Sequence, residues 1–227
     1  GLKEELVRIG VNPSKIVVAP DGVDLKKFAI RNSQFAIREE LGLPTDQKIV
    51  LYTGQLFDWK GADVLLDAAR VMVSMSNHDK EILRQAQDDI FFIFTGGMKG
   101  DVTRFKQKAV GLDNVKVIGH VPYTDLPKYM TSADVAVLPN TSNEEISARF
   151  TSPLKLFQYM AMGLPIVASD IPSLREVLND SNSVLVEPNN PESLADGINK
   201  VLQNPEFART IAEKAKEDVK EYSWEKR

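Results

Sequence analysis

Short apolar runs rich in valine and isoleucine alternate along this chain with longer segments of helical period, and that alternation limits the folds open to it. A strand covered on both faces reads as a continuous apolar run, and parallel neighbours need a long crossover between them, usually a helix. Strands are expected at 16–19 (IVVA), 48–53 (KIVLYT), 90–95 (IFFIFT), 115–118 (VKVI), 134–138 (DVAVL), 165–168 (PIVA) and 183–187 (SVLVE). Helices are expected at 2–9, 61–76, 102–110, 124–131, 153–162, 172–178, 191–203 and 205–221. This regularity predicts one α/β domain with a doubly wound, Rossmann-like parallel sheet. The polar stretch 77–89 (NHDKEILRQAQDD) exceeds an ordinary helix-to-strand connection and is expected to form a surface excursion, with room for a short helix of its own.

Composition narrows the chemistry. The 227 residues include no cysteine, which removes disulfide frameworks and cysteine-ligated zinc. No apolar run approaches the roughly 20 residues that span a bilayer, and the N-terminus lacks the apolar stretch of a signal peptide, so a cytoplasmic location is expected. With 28 basic and 32 acidic residues the net charge is -4, so no overall field gathers nucleic acid, and none is expected as a partner. Any anion must be held locally.

Open parallel sheets bind ligands in the crevice beyond the carboxyl ends of their strands. There the chain places Gly54, then Gly96 and Gly97, then Gly119, then Asn140, and finally Ser169 with Asp170. Glycine also ends strands for purely local reasons, but five consecutive strands ending in small or polar residues point to a ligand edge. In "TSPLKLFQYMAMGLPIVASD" (151–170), Ser152 suits an N-cap, Pro153 the first helical position and Gly163 the C′ position. Leu154, Phe157 and Ala161 then share the face toward the sheet, and Lys155 and Gln158 share another. The unpaired N–H groups of this helix start, with the Thr151 and Ser152 hydroxyls and the Lys155 ammonium, form an anion site best suited to phosphate. In "YTGQLFDWKGADVLLDAA" (52–69), Gly54 ends a strand and Lys60 follows six residues later, able to reach over the same crevice. Neither a P-loop nor G-x-G-x-x-G occurs, which argues against a dinucleotide-binding dehydrogenase.

In order and spacing, "VVAPDGVDLKKF" (17–28), "YTGQLFDWKGADVLLDAA", "FTGGMKG", "VKVIGHVPYTDLPKYMTSADVAVLPN" (115–140), "SPLKLFQYMAMGLPIVASDIPSLREVL" (152–178) and the closing "YSW" (222–224) carry a family likeness. Together they resemble the C-terminal donor-binding domain of a GT-B fold retaining glycosyltransferase of family 4 (group 1). The resemblance implies a nucleoside diphosphate sugar as donor substrate. It implies an N-terminal acceptor-binding domain that the 227 residues are too short to include. Peripheral membrane association of the full-length enzyme belongs to the same set of implications. Rival readings are a non-catalytic nucleotide or nucleotide-sugar binding module and a sugar-nucleotide epimerase of similar fold.

Carried over position by position, the resemblance assigns Lys60 to the donor diphosphate as the catalytic charge. It places Gln55, after Gly54, where the family often has an arginine. Gly96, Gly97 and Met98, with Gly119, His120 and Val121, resemble the walls of the nucleobase pocket. Thr151, Ser152, Pro153 and Leu154 occupy the phosphate-binding turn, with Lys155 beside it. The family's two frequent glutamates, directed at the donor sugar and the ribose, are here Phe150 and Gln158. No D-x-D triplet occurs, and no metal is expected.

Overall fold

The computed structural model describes residues 1–19, 21–28, 33–75 and 90–226. Its sheet has six strands: β1 (Lys48–Thr53), β2 (Ile90–Thr95), β3 (Val115–Gly119), β4 (Val135–Leu138), β5 (Ile166–Ser169) and β6 (Val184–Val186). They lie in the order β3-β2-β1-β4-β5-β6, with every neighbouring pair parallel. This is the doubly wound arrangement expected. The strand order reverses between β1 and β4, which opens a crevice beyond the carboxyl ends.

The described helices are α1 (Leu2–Arg8), α2 (Gln34–Glu40), α3 (Ala62–Met75), α4 (Lys99–Lys108), α5 (Leu126–Ser132), α6 (Glu145–Arg149), α7 (Leu154–Met162), α8 (Pro172–Arg175), α9 (Pro191–Gln203) and α10 (Pro205–Asp218). Successive strand residues point to opposite faces, so each strand feeds two cores. On one face Ile49, Leu51, Ile93, Leu138 and Ile166 pack with Met130 of α5 and Leu156, Phe157 and Met160 of α7. On the other, Val50, Tyr52, Phe92, Phe94, Val137 and Val167 pack with Leu65 and Leu66 of α3 and Leu194 and Ile198 of α9.

Several expectations need correction. Residues 16–19 do not join the sheet: a 3-10 turn, Pro13–Lys15, precedes them, and Val17 and Val18 are 89% and 60% exposed. Their β-branched pattern is that of a strand, but among the described residues no ladder partner lies beside them. The helix expected at 102–110 starts earlier, at Lys99, and that expected at 172–178 stops at Arg175. The α2 and α6 helices were not expected. The former is fastened by side chains: Arg38 donates to the Asp134 carboxylate (2.6 Å) and the Ser132 carbonyl, and Gln34 to the Ala133 carbonyl. The stretch 77–89 lies outside the described residues.

Helix α7 begins one residue later than expected. Pro153 is the N-cap (φ −78°, ψ 115°), and the Ser152 side chain makes no capping bond. Thr151 instead turns back, its hydroxyl donating to the Ile146 carbonyl. At the other end Gly163 is left-handed (φ 69°), and bonds from Gly163 N–H to Met160 and from Leu164 N–H to Tyr159 form a Schellman closure. The Tyr159 hydroxyl accepts from the Thr53 amide and bonds the Thr53 hydroxyl, both at 2.9 Å, tying α7 to the end of β1. Tyr159→Phe leaves the buried Thr53 amide unpaired and is expected to cost about 1–3 kcal/mol in urea unfolding. An unchanged midpoint would show that another acceptor serves that amide.

Candidate functional site

The floor of the crevice is built where two strands end alike. Thr53 and Thr95 face each other across β1 and β2, and each is followed by a glycine. The Gly54 amide donates to the Thr95 carbonyl (2.9 Å) and the Gly96 amide to that of Gly119, so the ladder runs one step past the strands. Gly96 sits at φ 105°, and a Cβ there would lie 2.2 Å from the Gly54 carbonyl oxygen. Only glycine allows the two turns to approach so closely.

Lys60 enters from one side. It closes the 3-10 turn Asp58–Lys60, and Gly61 (φ 74°) leads on to α3 against the Pro139 carbonyl. The Trp59 carbonyl accepts from the Thr141 amide (3.2 Å) and from the hydroxyls of Thr141 and Ser147, bolting the turn to the end of β4 and to α6. The Lys60 ammonium lies 3.8 Å from the centre of the Trp59 ring. Partial burial lowers its pKa from the ordinary lysine value, so removal from water is already met before an anion arrives.

The start of α7 supplies another wall. Pro153 has no N–H, which leaves the amides of Leu154 and Lys155 at the positive end of the helix dipole. Leu154 is 48% exposed at the mouth, not packed against the sheet as expected. Lys155 and Gln158 are instead buried, because α7 is covered on nearly its whole circumference. His120 and Val121, following β3, form the facing wall.

These groups enclose a cavity of about 320 Å³. Gly54, Gln55, Lys60, Gly96, Gly97, His120, Val121, Pro153, Leu154, Lys155 and Gln158 line it together. Met98, Thr151 and Ser152 do not. Met98 is the N-cap of α4 and points outward, 65% exposed. Thr151 and Ser152, with Phe150, line a second cavity of about 500 Å³ against Val17 and Val18, because the late start of α7 swings them away from the crevice. Among the described residues the lining holds two lysines and no carboxylate. Such a site attracts an anion through charge, free amides and dipole together.

The chain matches the family described as glycosyl transferases group 1 over residues 33–218. It belongs to that family. Among curated relatives, an uncharacterized glycosyltransferase of Methanocaldococcus jannaschii is 29% identical over 99% of this chain and 55% of its own length. A D-inositol 3-phosphate glycosyltransferase of Xylanimonas cellulosilytica is 29% identical over 98% of this chain and 51% of its own. The chain therefore spans about half the length of the curated relatives it matches. In structure it resembles HepE of Anabaena, solved with UDP and glucose, at a TM-score of 0.76 and 22% identity over 97% of this chain and 56% of that one. It also resembles the C-terminal domain of a group 1 family protein, LpcC, from Francisella tularensis, at a TM-score of 0.69 and 19% identity over 89% of this chain and 100% of that one.

In this group 1 glycosyltransferase chain, sequence reasoning passed over Thr53, Thr95 and Leu126, which also line the crevice. The repeated Thr-Gly at the ends of adjacent strands, in "YTG" and "FTG", was the available signal for the threonines. Leu126 carried none, since it reaches the crevice only through the placement of α5. Arg175, in the "SLREV" stretch, pairs with Asp170 (Nη2 to Oδ2, 2.7 Å) away from the crevice.

Proposed function

We propose that this chain is the donor-binding half of an enzyme that transfers a sugar from a nucleoside diphosphate sugar to an acceptor with retention of configuration. The observation that carries the reading is the convergence of Lys60, Lys155 and the α7 amides on one carboxylate-free crevice at the sheet's switch point. The diphosphate lies between Lys60 and the start of α7, and the base lies toward Gly96, Gly97 and His120. Catalysis then consists of orienting the donor and stabilising the departing diphosphate, with Lys60 as the catalytic charge. Two likenesses support this: HepE was solved with UDP and with UDP-glucose, and the Francisella domain is a C-terminal domain. The acceptor is supplied by an N-terminal half, which closes over Leu154 and the second cavity. Calorimetric titration with UDP, GDP, ADP and their nucleosides tests the reading. One diphosphate is expected to bind well above its nucleoside, and equal binding of the two would remove the phosphate site.

Gln158 reports on the ribose. It lines the crevice one turn along α7 from Lys155, and its amide accepts hydroxyls less strongly than a carboxylate. Gln158→Glu is expected to strengthen ribonucleotide binding by about 1 kcal/mol, less whatever repulsion reaches the diphosphate. Comparing ribose with 2′,3′-dideoxyribose forms on both proteins checks it. Equal losses in both would take Gln158 away from the ribose.

A further inference from the structure

Lys155 stands in an environment that a fixed ammonium does not tolerate. Its Nζ is shielded from solvent and meets no hydrogen-bond acceptor. It lies 4.0 Å from the centre of the Tyr52 ring and under Gly54, where a Cβ would come within 3.5 Å. The titratable groups around it are Tyr52 from β1, itself beside Tyr159 of α7, Lys60 from the turn before α3 and His120 from beyond β3. Both tyrosines are held neutral by burial, so neither supplies an anion. A buried cation with no counterion and a like charge nearby is costly, whereas a neutral amine on an aromatic face is not.

Resting on the diphosphate reading of the crevice, we propose that Lys155 is a neutral amine in the ligand-free protein and takes up one proton as a diphosphate enters, supplying the second positive charge that Gln55 does not. The balance is simple: the amine gains one proton from the buffer, the diphosphate keeps its charge, and no covalent bond changes. Burial first, and then the Lys60 charge, hold the Lys155 pKa well below its ordinary value. An arriving diphosphate offsets both causes. Because the folded ligand-free pKa is below that of the unfolded chain, the unfolded chain binds more protons between the two values. Stability of the ligand-free protein therefore rises with pH across that window. Diphosphate affinity does the opposite, falling up to tenfold per pH unit between the free and bound pKa values.

The test is titration of the protein at about pH 8.5, in two buffers of different ionisation enthalpy, with UDP, GDP and ADP, whose terminal phosphate is already ionised, and with inorganic pyrophosphate as a probe of binding alone. The expected result is uptake of about one proton per diphosphate bound, near zero in Lys155→Met and retained in Lys60→Met. Lys155→Met is also expected to raise the melting temperature of the ligand-free protein, by an amount that shrinks as pH rises. If that variant does not fold, Gln158→Glu places a carboxylate one turn away, keeps Lys155 charged beforehand and should reduce the uptake. Diphosphate binding without proton uptake, or uptake undiminished in Lys155→Met and Gln158→Glu, would overturn the proposal and leave the diphosphate reading standing. Binding of none of the four would overturn the diphosphate reading itself.

Discussion

Gly96→Ala should destabilise the protein by about 2–5 kcal/mol, combining roughly 1–2 for the left-handed backbone with 1–3 for overpacking. The methyl would enter the space of the Gly54 carbonyl, 2.2 Å from its oxygen and 2.8 Å from its carbon. Both are backbone atoms, so no side-chain rotation relieves the contact. The relief must therefore come from parting the ends of β1 and β2, which also deforms the crevice floor. Gly111→Ala is the control. Gly111 has a similar φ of 88°, but nothing lies within 4 Å of its Cβ position, so only the conformational cost of roughly 1–2 kcal/mol applies. Urea unfolding of the two variants separates the terms. Equal losses would mean that the close approach at Gly96 contributes nothing.

The sheet was legible because its strands are covered on both faces, which makes them read as unbroken apolar runs. The crevice was legible for a related reason: the turns that leave the strands need glycine, and glycine is visible in sequence. What could not be read depended on neighbours. Residues 16–19 have the composition of a strand, yet a strand exists only where another edge is present. Helix α2 is too short to be signalled by propensity and is fixed by Arg38 and Gln34 bonding to groups about a hundred residues away. The sequence placed Lys155 beside the anion site, but nothing in its spacing told that the amine would be buried on Tyr52. The start of α7 was misplaced by one residue because Ser152 and Pro153 are both good at the N-terminus of a helix. Here the extended Pro153 backbone decided between them.

Lys60→Ala is expected to weaken nucleoside diphosphate binding about 10- to 100-fold, the range for losing a charge-assisted hydrogen bond of roughly 1.5–3 kcal/mol. Its turn is anchored through the Trp59 carbonyl rather than through the lysine itself, so the substitution removes the charge and leaves the frame in place. The parent nucleoside makes no phosphate contact and should lose less than about threefold. Calorimetric titration of both proteins with the best-binding diphosphate and with its nucleoside measures the difference. A loss at least about threefold greater for the diphosphate is the predicted result, whereas equal losses for the two ligands would contradict the assignment of this crevice to the diphosphate of a sugar donor.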